Sequence, residues 1–435
     1  MNMKLAHAKK CMRVVGFRGN FTSWLARRQK LRCLSSVSSP LGGIRVVDLT
    51  RVLAGPFCSM LLGDLGAEVI KIERPGVGDE TRHWGPPFIN GESCYFLSVN
   101  RNKKSLAVNL KHPKGIEVVQ KLVASSDVLL ENYIPGKLEE LGLGYDSLRE
   151  TNPGLIYCSI TGYGQTGPYS ERGGYDLIAA GLGGLMNITG PQEGDPCKVG
   201  VAMTDLSTGL YAKGAILAAL LHRMQTGEGQ RIDTNLLSTQ VSLLTHLATN
   251  YLMDGREAKR RGTQHESIVP YQAFKTADGY LIIGAGNDKA FQTLCKRICL
   301  PELAEDPQYK TNAQRVLNRD VLLPVLSKRL SEKKTSDWME VLEGCGFPYG
   351  PINTMGQVFD DPQVKHNDLV QEIDHPTAGT MRVPGHAVQY STISTKENFP
   401  SPLLGQHTAD ILTNLLGYTQ SQVEELHRDK AIALP

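Results

Sequence analysis

Asp205 stands in the run Lys198-Val-Gly-Val-Ala-Met-Thr-Asp205-Leu-Ser-Thr-Gly209, at the head of a long Ala/Leu-rich stretch that predicts a helix over 206–224. A carboxylate at a helix start faces the positive end of the helix dipole and free backbone N–H groups. That position predicts a side chain ionised at neutral pH, with N–H donors beside it for an oxyanion formed nearby. Two uses fit it: a nucleophilic carboxylate, or the N-cap aspartate common at helix starts. Position alone favours the cap.

A second constellation is Thr50-Arg51-Val52-Leu53-Ala54-Gly55-Pro56, a turn between a strand and a helix. Doubly wound folds bind nucleotides at such turns. Gly55 is the turn's single glycine, so a GxGxxG fingerprint is missing and a nicotinamide dehydrogenase is disfavoured. Cationic and polar residues follow successive elements: Arg74 and Arg82, then Lys103, Lys104 and Lys111, then Asn132 and Tyr133. Basic groups at strand ends suit a phosphate-rich ligand, although each alone reads as a solvated surface charge. The nine cysteines include one close pair, Cys295 and Cys299, with no second pair to complete a zinc site. They are expected to be thiols, and no metal is implied.

The elements that must position these residues alternate. Strands are predicted at 43–50, 68–73, 105–109, 127–131 and 155–159, and helices at 57–65 and 113–125. Strand–helix–strand units give parallel pairs with right-handed crossovers. The fold class is therefore α/β: an open, mostly parallel, Rossmann-like sheet covered on both faces. A Gly-rich stretch over 162–190 reads as loop, and 231–237 as a further strand. From about residue 238 the character changes. Helices at 238–256, 291–298 and 321–343 with a strand at 279–284 predict a second, smaller α+β domain over 238–355. A strand at 379–384 and a helix at 407–416 follow.

Charge is unevenly distributed. Residues 1–40 hold nine Lys/Arg and no acid, and the remainder carries 38 basic against 44 acidic residues, about −6 net. The basic excess thus belongs to the leader and does not indicate nucleic-acid binding. Basic, Ser-containing, acid-free and amphipathic, residues 1–40 read as a mitochondrial transit peptide, which implies the matrix. No run of 18 uncharged apolar residues appears, so no membrane span is expected.

Seven segments together resemble the family III CoA-transferases. They are Val47-Asp-Leu-Thr-Arg-Val-Leu-Ala-Gly-Pro56, Gly66-Ala-Glu-Val-Ile-Lys-Ile-Glu73, Asp127-Val-Leu-Leu-Glu-Asn132, Gly174-Tyr-Asp176, Val201-Ala-Met-Thr-Asp205, the stretch 218–230, and Pro402-Leu-Leu-Gly-Gln-His-Thr408. The resemblance implies an acyl-CoA thioester as substrate, no permanently bound cofactor, and Asp205 as the group that becomes acylated. It carries CoA-binding roles to Arg51, Val52, Ala54, Arg74, Asn109, Leu110, Lys111, Asn132, Tyr133 and Tyr175. It also implies an interlocked homodimer, with 41–237 as the large CoA-binding domain and 356–435 returning to it. Within the family the likeness is to members that move CoA from succinyl-CoA to a dicarboxylic acid. Leu53 stands where formyl-CoA transferase has an active-site Gln, which argues against oxalate-type chemistry.

Two rivals share the fold. An α-methylacyl-CoA racemase needs an acid–base pair, but Tyr175 stands where the racemase pattern has a His, and a phenol with pKa near ~10 is a poor base. A CoA-binding scaffold without activity has no need of Asp205. For a dicarboxylate, the distal carboxylate must meet a cation or donor. Arg82, Lys198, Arg260, Arg261 and His265 are the candidates.

Overall fold

The computed structural model describes residues 39–393 and 398–435, so the leader reading over 1–40 lies outside the described residues except at its last two positions. Six parallel strands form the central sheet: β1 (Arg45–Asp48), β2 (Glu68–Glu73), β3 (Lys103–Ala107), β4 (Val128–Glu131), β5 (Ile156–Thr161) and β6 (Gln230–Asn235). Their spatial order is β3-β2-β1-β4-β5-β6. The chain winds one way from β1 to β3 and the other way from β4 to β6. Loops at the C-terminal ends of β1 and β4 therefore diverge, which opens the crevice where open α/β sheets take ligands.

Side chains alternate along each strand, so neighbouring residues feed opposite cores. Val46, Val69, Val128 and Ile156 pack against Cys58 and Leu62 of α1 (Ala54–Asp64), and against Ala212 and Ile216 of the later helix Met203–Thr226. Val47, Ile70, Leu106 and Leu129 pack against Val118 and Leu122 of α2 (Pro113–Ala124). Ile411, Leu412, Val423 and Ile432 complete that second core, so the last residues of the chain lie on the first strands. Both faces are covered, which is why the inner strands read as nearly continuous apolar runs.

Two further helices matter for the site: α3 (Asp176–Leu182) and α4 (Met203–Thr226). The helix expected from residue 57 begins three residues earlier, with Pro56 in its first turn. There the backbone N–H is an orphan anyway, so proline costs nothing. The single helix expected over 238–256 is two, Leu236–Leu243 and Thr245–Asp254, because Thr245 takes a left-handed φ of 48°. The run 321–343 is likewise two helices, Arg319–Leu330 and Thr335–Leu342, folded onto each other so that the Trp338 indole N–H donates to the Leu330 carbonyl at 2.7 Å. In the second run the polar Ser331-Glu-Lys-Lys334 separates the two helices, a break that a coarse apolar count over the whole run passes over.

A separate antiparallel sheet joins Tyr271–Lys275, Tyr280–Gly284 and Tyr349–Pro351 over its own core of Phe274, Leu281, Phe291, Leu326 and Trp338. Among the described residues no helix is long and apolar enough to cross a membrane.

Helices α1 and α4 cross closely at Gly209. A Cβ there would sit 2.7 Å from the Ala54 carbonyl oxygen and 3.2 Å from the Phe57 ring. This contact brings the first turn of α4, with Asp205, against the first turn of α1. Gly209→Val should destabilise the fold by about 1–3 kcal/mol through overpacking. It should also lower activity by displacing that turn; urea denaturation and turnover assays read the two effects.

Candidate active site

The turn after β1 is held from below by buried charges. Asp48, at the end of β1, pairs with Lys103 at 3.2 Å and accepts hydrogen bonds from the Thr50 and Ser59 hydroxyls. Burial pushes its carboxyl up, but the Lys103 and Lys71 ammoniums and the two hydroxyls outweigh this and bring it to about 2. Lys71 pairs with Asp79 at 2.9 Å and donates to the Thr50 carbonyl at 2.8 Å. Burial likewise raises the Asp79 carboxyl, and Lys71 reverses this, so Asp79 stays ionised. The Asp79 carboxylate then accepts the Val52 N–H through both oxygens at 3.2 Å. Val52 has φ 70°, a left-handed conformation unusual for a β-branched residue. The buried Lys71–Asp79 pair holds it there.

At the divergence of β1 and β4 the two loops clasp each other. Arg51 N–H donates to Asn132 Oδ1 at 3.1 Å, and Asn132 Nδ2 returns a bond to the Arg51 carbonyl at 2.9 Å. Above the clasp lies a cavity of about 250 Å³ lined by Arg51, Val52, Ala54, Asn132, Tyr133, Tyr175 and Asp205. A second, of about 460 Å³, adjoins it through Arg51, Glu80 and Tyr133 and is lined by Arg74, Asn109, Leu110 and Lys111. The residues expected to touch CoA, scattered over 125 positions of sequence, thus line one continuous cleft with Asp205 at one end.

Asp205 is the third residue of α4, not its cap. Its carboxylate accepts no hydrogen bond from a described side chain or backbone group and opens to the cavity. Burial first, and the neighbouring Asp176 second, raise its pKa from 3.8 to about 7. The expectation of full ionisation from the helix end is overturned. A helix terminus contributes about 0.3–1 kcal/mol, less than one pKa unit at about 1.4 kcal/mol, and desolvation exceeds it. The expected free N–H donors are also occupied: Asp176 Oδ1 accepts from Thr204 N at 2.8 Å and Asp205 N at 3.2 Å. Asp176 thus caps α4 from outside. It is carried there by the close approach of Gly174 to Gly162, where a Cβ on Gly174 would lie 2.3 Å from the Gly162 Cα.

A profile described as CoA-transferase family III matches residues 41–408. The chain belongs to that family. It is 58% identical over 411 residues to succinyl-CoA:glutarate CoA-transferase of Mus musculus, covering 94% of both chains. It is 59% identical over 387 residues to the Homo sapiens protein of the same name, covering 89% of this chain and 88% of that one. A crystal structure of a CAIB/BAIF family protein from Brucella suis superposes with a TM-score of 0.79 at 44% identity, over 87% of this chain and 99% of that one.

Several expected site residues of this transferase lie elsewhere. Lys103 is buried on Asp48 and Lys104 pairs with Glu68 at 2.8 Å, so neither faces the cleft. Arg82 is held by Glu73 at 2.7 Å and by the Pro402 carbonyl at 3.0 Å, which removes it as a partner for a distal carboxylate. Each had a carboxylate brought to it by the tertiary fold, invisible in the sequence order. Arg261 and His265 border another pocket with His246 and Lys259, and Arg260 donates to the Asn187 carbonyl at 3.1 Å. Lys198 is exposed and bonded to the Gly200 carbonyl at 3.4 Å. Asp79, Asp176 and Arg172, the last of which lines the Asp205 cavity, have no role assigned from the sequence. Asp176 lies in the Gly-Tyr-Asp segment that carried the resemblance, so its signal was present; Asp79 and Arg172 had none beyond their loops.

Replacing Lys71 by Met should leave Asp79 buried and unpaired, costing about 3–5 kcal/mol of stability by urea denaturation. A raised KM for the acyl-CoA should accompany it, because Val52 loses its hold. Between about pH 4 and 7 the folded chain keeps a proton on Asp205 that the unfolded chain has released, so stability falls as pH rises through that window. Asp205→Asn removes this loss. The variant should gain over its parent from pH 5 to pH 8, reaching roughly 1–3 kcal/mol for a half-buried group.

Proposed function

We propose that this transferase moves CoA from succinyl-CoA to glutarate or a related dicarboxylic acid through covalent acylation of Asp205. The carrying observation is an unpaired, partly desolvated carboxylate at the end of a cleft lined by Arg51, Arg74 and Lys111. The substrates follow the names of the mouse and human relatives.

Asp205 attacks the thioester carbonyl; the tetrahedral adduct expels CoA thiolate and leaves a mixed aspartyl–succinyl anhydride. The thiolate attacks the Asp205 carbonyl, releasing succinate and forming an aspartyl-CoA thioester. Glutarate carboxylate attacks that thioester, giving an aspartyl–glutaryl anhydride and thiolate again. Attack of the thiolate on the glutaryl carbonyl yields glutaryl-CoA and restores Asp205. Each step exchanges one activated acyl group for another, so no external energy source is needed. Desolvation makes the Asp205 carboxylate a stronger base and nucleophile than one in water, while a pKa near 7 leaves about half of it ionised at neutral pH.

We further read the chain as a matrix enzyme with a cleaved leader over 1–40, and as a homodimer. Leu252 and Met253 are 80% and 83% exposed, and Leu221, Met224 and Tyr251 are also exposed, an apolar display that suits burial against a second subunit. We also read the chain as divided into 41–237, 238–355 and 356–435; the core from Val269 to Phe347 supports the second unit and the packing of Ile411 and Ile432 on the first sheet supports the return of the third, while the Thr204–Gln240 bond keeps the helix Leu236–Leu243 on the large domain.

Asp205→Ala should lower kcat by roughly 10⁴-fold or more, in line with loss of a covalent nucleophile. Hydroxylamine or borohydride with succinyl-CoA should modify Asp205 alone, as peptide mass spectrometry reads it. Undiminished exchange by the alanine variant would end this reading, and α-proton exchange with deuterated water would point to racemase chemistry instead. In an acceptor panel, reaction only with monocarboxylates or oxalate would exclude the dicarboxylate assignment. The parent's kcat/KM should rise about tenfold per pH unit below 7 and level off above it. Burial also brings Glu131, under the cleft, to about 7; a Glu131→Gln protein that keeps the limb assigns it to Asp205.

A further inference from the structure

The cleft does not end at Lys111. A third cavity, of about 470 Å³, adjoins the second through Arg74, Asn109 and Lys111, and its far wall comes from the last residues of the chain: His427, Lys430 and Ile432. No acid lines it. Glu425 on the closing helix α5 (Gln420–Arg428) and Asp429 just after it are both occupied by Lys114, at 2.6 and 2.7 Å. Arg74, Lys111 and Lys430 form no ion pair with a carboxylate among the described residues. Three cations and an imidazole therefore converge on one mouth with their charge uncompensated, an arrangement that solvates an anion.

The backbone holds this wall in place. Lys430 N–H donates to the His427 carbonyl at 3.0 Å and Ala431 N–H to the Leu426 carbonyl at 2.9 Å. These two bonds make a Schellman turn, whose left-handed position is usually glycine. Here it is Lys430, with φ 60°. The turn is anchored to the strand side of the cleft: Asn109 N–H donates to the Ala431 carbonyl at 2.8 Å, Asn109 Nδ2 to the Lys430 carbonyl at 3.2 Å, and Val108 bridges Ile432. A lysine in the position that favours glycine, tied to Asn109 and swung over the mouth, is a side chain retained against local preference.

The three cavities lie in series from Asp205. A CoA thioester reacting at Asp205 runs from its thioester through the pantetheine arm and pyrophosphate to the nucleotide, so its far end reaches the third cavity. The group with the highest charge at that end is the ribose 3′-phosphate, a monoester carrying about −1.5 to −2 at pH 7. We propose that Lys430 and His427, with Arg74 and Lys111, form the site for the 3′-phosphate of CoA, so that the C-terminal turn makes the enzyme discriminate CoA from its 3′-dephospho form. The proposal rests on the reading that the acyl-CoA reacts at Asp205.

Calorimetry on the full chain with CoA and with 3′-dephospho-CoA tests it without requiring turnover. The parent should bind CoA about 10–100-fold more tightly, the worth of charge-assisted hydrogen bonds to one phosphate. Lys430→Ala and the double variant with His427→Ala should bring the two affinities together by weakening CoA alone, while KM for the acceptor acid stays unchanged. Lys430→Gly separates ligand from fold: glycine suits the left-handed turn, so the melting temperature should not fall while the discrimination is lost. Equal affinity of the parent for both ligands overturns the proposal. So does an equal loss for both in the lysine variants, which would move the contact to the pyrophosphate. If these results come with normal succinyl-CoA turnover, the phosphate site falls and the transferase reading stands; if CoA does not bind at all, both fall.

Discussion

The site depends on two ion pairs kept out of water. Asp48 with Lys103 and Asp79 with Lys71 are fully buried beneath the turn that follows β1. Such pairs seldom add much net stability, because desolvation offsets their attraction, but removing one partner strands a charge at a cost of several kcal/mol. Their effect here is therefore positional. With both lysines capped by carboxylates and by the Thr50, Pro56 and Asn100 oxygens, the turn has one low-energy arrangement. Val52 is kept at φ 70° in it, with its N–H on Asp79. An uncharged core would leave that residue free to relax to an extended conformation and would reshape the mouth of the cleft.

Electrostatics takes opposite signs a short way along the same cleft. Beneath the turn, lysines keep carboxylates ionised despite burial. At Asp205 no cation pairs with the carboxylate, a second carboxylate stands next to it, and desolvation wins. The nucleophile is thus poised near neutrality by what it lacks. Asp176 does two things at once: it caps the helix that carries Asp205, and its charge raises the basicity of the group it positions. Farther out the cleft turns basic and meets the C-terminal turn, so a ligand neutral in its middle and anionic at its end finds a matching order of environments.

Return of the chain's end to its beginning is what completes that order. Ile411, Leu412, Val423 and Ile432 share a core with Val47 and Leu122, and Ser105 on β3 receives the Gly405 N–H at 2.8 Å while donating to Glu73 at 2.7 Å. Glu73 in turn holds Arg82, whose guanidinium also meets the Pro402 carbonyl. The segment 402–408, one of the blocks that carried the family resemblance, is therefore the strap that joins the C-terminal turn to the first three strands.

By itself, the sequence determined the α/β alternation, the parallel sheet and the position of each of its strands to within a few residues, because apolar period and Gly/Pro punctuation are local signals. The glycine-poor turn after β1 and Asp205 at a helix start were legible for the same reason, and the family blocks supplied the cleft residues. Tertiary structure decided everything that depends on which distant groups meet. It buried Lys103 on Asp48, took Arg82 out of the site, set Asp176 on the α4 terminus and brought Lys430 to Lys111. Charge state followed from those meetings: Asp48 and Asp205 are the same residue type, yet one is held at about 2 and the other at about 7. The interaction that separates them acts through space between groups remote in the chain, and desolvation depends on a surface that exists only once the chain has folded.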